Sequence, residues 1–201
     1  PDMSILTMDL VCGEIPSVEN DSIVLAFAGA FTGTEFDKGP ANIAGDHVSG
    51  GTKFKGYRCK RNTGAFTWSP VSGSKFFYNN YSSALDTAAK ESGMGFAQEM
   101  MIHNGEAVKT TRPLGNKNVF RALCLDSEGE LALYESQGIV TFGNFIDALL
   151  SQGVKEALYT DMGQGWNYCF YRVNADESSP KYLHDRPLPY ASNFVVLKVK
   201  E

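Results

Sequence analysis

Reactive and metal-binding side chains are scarce in this sequence: among its 201 residues there are only four cysteines and three histidines. Cys12, Cys59, Cys124 and Cys169 form no C-x-x-C pair and lie too far apart to frame a disulfide scaffold. His47, His103 and His184 stand singly, with no H-x-x-x-H spacing, so no metal site is expected. No apolar run approaches the roughly 18 residues that a membrane span requires. A net charge of −5 supplies no basic footprint, which argues against nucleic acid as a partner. A cofactor motif is missing too: Gly163-x-Gly165 leads into a strand-like run, whereas the dinucleotide fingerprint opens a helix.

What is present describes a globular chain. Hydrophobic content of 43% and charged content of 20% are ordinary, and the length suits a single domain over residues 1–201 with a real core. Residues 4–12 and 22–31 are apolar or alternating runs rich in strand formers. Residues 32–74 are punctuated by glycine and proline, which reads as short strands joined by turns or as loops over a sheet edge. A helix is predicted over 82–93, with Gly93 in the C′ place. Residues 96–109 read as strand, Asn104-Gly105 turn and strand. Residues 118–136 form the clearest hairpin signal, two alternating strands around "DSEGE".

A second helix is predicted over 141–153, where Phe142, Phe145, Ile146, Leu149 and Leu150 make one apolar stripe between Thr141 as N-cap and Gly153 as C-cap. Residues 157–172 read as strand, glycine turn, strand; 177–190 as a proline-rich loop; 193–200 as a final strand. Hairpins mixed with helical crossovers predict an α+β fold: a single domain with a mixed, largely antiparallel β-sheet covered by a few helices.

The chemically suggestive stretch is "ALYTDMGQGWNYCFYR" (157–172), in which a carboxylate closes a strand beside two glycines. The order "FRALCLDSEGELALYES" and then "VTFGNFIDALLSQGVKEALYTDMGQG" resembles the phosphodiester glycosidase family, whose members carry an Arg-Ala strand, an Asp-x-x-Gly hairpin, an amphipathic helix and a strand closing on Asp-Gly-Gly-Gly-Ser. "AFAGAF" (26–31) is similar to the family's Asn-Gly-Gly-Phe-Phe motif, and "QEMMIHNGEAV" (98–108) to its Gln-x-x-x-Leu-Ile-x-x-Gly segment. The chain departs from the pattern at Ala28, Ala30, Met162 and Gln164, where the family has asparagine or glycine.

The resemblance implies a secreted, periplasmic or cell-surface hydrolase that cleaves a sugar-1-phosphodiester such as one of N-acetylglucosamine, with a carbohydrate or sugar phosphate as ligand and no cofactor. Such chemistry needs a carboxylate near an oxocarbenium-like centre and a cation for the departing phosphate. Asp161 is expected to be the nucleophile or base, Arg121 to grip the phosphate, and Glu99 to be a second carboxylate. Gly163 and Gly165 would offer backbone N–H groups, Trp166 a stacking face, and Asn193 and Gln98 hydrogen bonds to the ligand. Two other readings stand beside this one. An Asp before Gly-x-Gly is also an ordinary turn, and the replaced motif positions suit a non-catalytic glycan-binding or interaction domain on the same scaffold.

Overall fold

The computed structural model describes residues 3–33, 42–163, 167–174, 179–184 and 192–200. In chain order the strands are β1 (Leu6–Cys12), β2 (Ile23–Ala28), β3 (His47–Ser49), β4 (Thr52–Phe54), β5 (Gly64–Ser69) and β6 (Gly73–Tyr78). Helix α1 (Ser82–Lys90) precedes β7 (Met94–Gln98), β8 (Met100–His103), β9 (Glu106–Ala107), β10 (Lys117–Asn118), β11 (Arg121–Leu125), β12 (Leu131–Glu135) and β13 (Val140–Thr141). Helix α2 (Phe142–Ser151) is followed by β14 (Glu156–Tyr159), β15 (Cys169–Tyr171), β16 (Lys181–His184) and β17 (Asn193–Val199).

These strands make three five-stranded sheets, ordered β1-β17-β2-β15-β16, β4-β3-β7-β5-β6 and β12-β11-β14-β8-β9, with a small β10-β13 pair. Every pairing between these strands is antiparallel among the described residues. The expected α+β class is therefore corrected: with two helices of nine and ten residues against three sheets, the fold is mostly β. Several consecutive strands form hairpins, and the strands brought together from distant parts of the chain also pair antiparallel, so none of these pairings needs the helical crossover of a parallel pair. The largest core cluster draws on all three sheets, joining Leu10, Phe27 and Val195 to Phe66 and Phe96 and to Leu123 and Leu158.

Local chemistry explains several of the elements. In α2 the Thr141 side chain accepts from the Asn144 amide at 3.1 Å, and Gly153 closes the helix at φ 75°. Its stripe buries Phe142, Phe145, Ile146 and Leu149 against Met101, Ala122 and Tyr159 of the third sheet and Phe120 just before β11. Each such side chain contributes roughly 1.5–3 kcal/mol relative to staying in water. Asn104 and Gly105, at φ 54° and 78°, form the tight turn between β8 and β9.

Helix α1 differs from its sequence reading at both ends. No side chain caps its N-terminus, and the left-handed position after it is Ser92, at φ 55°, one residue before Gly93. Gly93 is needed for a different reason: a Cβ there would lie 2.1 Å from the Trp68 carbonyl oxygen. Two other readings change. The 177–190 loop contains β16. The strand expected from residue 96 is two, since the chain leaves the second sheet at Gln98 and enters the third at Met100.

The run that looked like strand, turn, strand at 157–172 is not a hairpin. β14 lies in the third sheet and β15 in the first, so the chain crosses between sheets beside Asp161.

Candidate active site

The crossing is built from backbone hydrogen bonds that tie five segments together. Tyr159 N–H donates to the Glu99 carbonyl at 2.9 Å, and Thr160 N–H to that of Arg121 at 3.1 Å. One residue on, Asp161 N–H donates to Gly29 at 2.9 Å, and Gly29 N–H in turn to Asn193 at 3.3 Å. Glu99, Arg121, Asp161, Gly29 and Asn193 thus share one seam between the first and third sheets, although up to 164 positions separate them in the chain (193 − 29).

Asp161 lies at the end of β14 with only 5% of its surface exposed. Its Oδ1 accepts from the Gly163 amide at 2.9 Å. Burial pushes its carboxyl up to about 6, against the backbone N–H groups of Gly163 and Thr32 and the positive charges of Arg112 and Arg121, all of which favour the anion. Withdrawal from water outweighs two guanidinium groups, which leaves a carboxyl that changes protonation state near neutral pH. Such a group is suited to accepting or donating a proton.

Arg121 begins β11, and the β11–β12 register sets it opposite Glu135. It is fully buried, with Nε and Nη2 on Glu135 Oε2 at 2.8 and 2.7 Å and Nη2 also donating to the Asn167 carbonyl at 3.0 Å. Nη1 has no hydrogen-bond partner among the described residues. Of its forked donors, most therefore hold the protein and one nitrogen remains for an acceptor.

Glu99 sits at the bend between β7 and β8 with its carboxylate fully engaged by the chain. Oε1 accepts from Thr111 N at 2.9 Å, Thr111 Oγ1 at 3.0 Å and Arg112 N at 2.9 Å, while Oε2 meets Arg112 Nε at 3.4 Å. It anchors the 111–112 segment and its arginine.

Arg112 is the residue that the sequence reading missed. It is 8% exposed, and its guanidinium carbon stands 4.6 Å from the Tyr159 ring centroid, 5.2 Å from Phe142 and 5.9 Å from Phe31. In "KTTRPLG" nothing distinguishes this arginine from a solvated loop cation. The one available signal was Glu99 itself, a carboxylate within the apolar run "GFAQEMMI", which requires a counter-charge once buried.

The remaining expected ligands divide. The Asn193 side chain holds Ala30 through both its groups, Oδ1 from Ala30 N at 2.7 Å and Nδ2 to Ala30 O at 2.9 Å, so it positions the end of β2 beside Asp161. Gln98 accepts from the Glu99 amide at 2.9 Å, and its buried Nε2 has no partner among the described residues. Gly163 directs its N–H at Asp161 itself. Gly165 and Trp166 lie outside the described residues. Of the departures from the family pattern, Ala28, Ala30 and Met162 are buried, and Gln164 lies outside the described residues. The described residues contain no group of three or more His, Cys, Asp or Glu side chains able to hold a metal ion.

Neither a family model nor a curated protein matches this sequence. Solved structures do match. The catalytic domain of zebrafish N-acetylglucosamine-1-phosphodiester alpha-N-acetylglucosaminidase, auto-inhibited by its pro-peptide, superposes with a TM-score of 0.64. That match covers 97% of this chain and 73% of the zebrafish chain at 16% identity. At that identity the likeness concerns the fold. It extends over nearly the whole chain.

Proposed function

We propose that the chain is a glycosidase-like hydrolase that cleaves a sugar-1-phosphodiester linkage in a glycan, with Asp161 as nucleophile or base. The observation that carries this reading is the environment of Asp161: a buried carboxyl raised to about 6, within electrostatic reach of Arg112 and Arg121, on a fold similar to that of a phosphodiester glycosidase. Above pH 6 the ionised carboxylate attacks the anomeric carbon, or takes a proton from water that does so. The C1–O bond breaks, and its electron pair leaves on the phosphate oxygen; where the carboxylate itself attacked, water then cleaves the glycosyl ester and frees the sugar and Asp161. Because a phosphodiester departs as a stabilised anion, no strong general acid is required, which fits a site where Glu99 is engaged elsewhere. The developing phosphate charge is met by the unpartnered Arg121 Nη1 and by Arg112, whose charge is strengthened by its dry surroundings.

One observation favours a second reading, a non-catalytic glycan-binding domain on the same scaffold. Asp161 is nearly buried, one of its oxygens is tied to its own turn, and Met162 fills the place of a family glycine. Release of sugar from an N-acetylglucosamine-1-phosphodiester by wild type and by Asp161→Asn decides between them. Turnover that disappears in the variant supports the hydrolase. Equal rates exclude Asp161 as the catalyst, and binding without turnover in the wild type establishes the second reading.

A further inference from the structure

The chain carries a net charge of −5, yet residues 53–61 hold Lys53, Lys55, Arg58, Lys60 and Arg61 and no acid. Lys53 is neutralised by Asp86 at 2.7 Å. Lys55, Arg58 and Lys60 have no carboxylate partner among the described residues, and all three line a cavity of about 580 Å³ together with Tyr57, Asn62 and Asp46. Asp46 is the one carboxylate in that wall, and it is itself 4.0 Å from Lys53. The cavity is therefore net positive, in a protein that is net negative.

The wall of this cavity is tied to the Asp161 seam by backbone hydrogen bonds, although no seam residue lines it. Asp161 N–H bonds to Gly29; two residues on, the Phe31 carbonyl accepts from Ala44; and Gly45 N–H and the Ile43 carbonyl pair with Tyr57. Close packing holds the last step, since a Cβ on Gly56 would lie 2.1 Å from the Gly45 carbonyl oxygen. Two such backbone spacings place Tyr57 about 10 Å from the Gly29–Phe31 segment. Arg61, with its guanidinium carbon 5.9 Å from the Phe31 ring centroid, stands along the same path. The Tyr57 phenol is pushed up to about 12, chiefly by burial and then by the charges of Cys59 and Asp161, so it is in electrostatic reach of both regions.

We infer that the cavity is the subsite for the leaving-group side of the substrate, and that this part of the substrate carries a second phosphate beyond the scissile linkage. The inference rests on the proposed phosphodiester cleavage and narrows its substrate class to multiply phosphorylated glycans. Lys55, Arg58 and Lys60 supply cations at the place where a further anion would arrive, with Arg58 able to grip two phosphate oxygens.

The test is a ratio of affinities. Two ligands share an N-acetylglucosamine-1-phosphodiester: one has a methyl aglycone, the other a glycerol bearing a terminal phosphate. Binding is measured calorimetrically to wild type and to Asp161→Asn, then to Lys55→Ala/Arg58→Ala/Lys60→Ala. Each exposed contact is worth at most a few-fold, so the doubly charged ligand should bind about tenfold more tightly. That preference should persist in Asp161→Asn, shrink towards unity in the triple variant, and weaken with salt. An equal ratio in wild type and triple variant overturns the inference. So does equally tight, cavity-dependent binding of a short single-stranded oligonucleotide, which would mark a general polyanion surface. Failure to turn over any sugar phosphodiester refutes the hydrolase separately, because the affinity ratio requires no turnover.

Discussion

Replacing Asp161 by asparagine should stabilise the protein at neutral pH, and the size of the effect follows from its environment. The folded-state value of about 6 exceeds the ordinary 3.8, so the native state holds this proton more tightly than the unfolded chain does. The associated stability is fully present below pH 3.8 and is lost as pH rises to about 6. A difference of about two units corresponds to about 3 kcal/mol, present as destabilisation of the wild type at pH 7 and mostly gone at pH 4. Asparagine keeps an oxygen for the Gly163 amide and never ionises. The stability of Asp161→Asn minus that of wild type should therefore grow by about 2.5 kcal/mol between pH 4, where about 0.5 kcal/mol of the effect is already present, and pH 7. Urea unfolding at both pH values reads this as a midpoint difference that widens by about 1 M, for a slope of 2–3 kcal/mol/M. Comparing the two pH values removes any constant offset from the altered hydrogen bonding. A gap that stays level, or narrows as pH rises, would mean that Arg112 and Arg121 outweigh burial and that the carboxylate is not held at an energetic disadvantage. The case for a reactive Asp161 would then be lost.

The same carboxyl sets the acid limb of activity: kcat/KM on a sugar-1-phosphodiester should fall as pH drops through about 6, and a profile flat from pH 7 to pH 5 would contradict the assigned role. Glu99→Ala should cost about 3–5 kcal/mol in denaturant unfolding, because it leaves the Arg112 guanidinium buried among aromatic rings without its counter-charge. A loss under 1 kcal/mol would show that the pair is dispensable. Gly93→Ala should lose about 1–3 kcal/mol through its clash with the Trp68 carbonyl, measured by the same unfolding curves. Thr141→Ala should lose about 1 kcal/mol by removing the cap of α2, with Thr141→Ser restoring most of it.

Patterns that close within about a dozen residues were readable in the sequence. The α2 stripe, its Thr141 cap, the Asn104-Gly105 turn and the 121–135 hairpin each depend on neighbours along the chain. Periodicity and turn chemistry specify them without reference to the rest of the molecule. The pairing of Arg121 with Glu135 was implicit in the same hairpin, since a tight turn sets the register of both strands.

Only the tertiary structure decided what those elements make together. Whether Asp161 turns into a hairpin or crosses between sheets depends on where β15 pairs, and β15 joins β2, some 140 residues earlier (169 − 27 = 142). The partnership of Glu99 with Arg112, the removal of Asp161 from water and the meeting of Asn193 with Ala30 likewise depend on distant chain segments. Residue types and their order along the chain named the candidate carboxylate. Burial, a property of the whole packed molecule, sets its proton affinity and determines which arginine stands beside it.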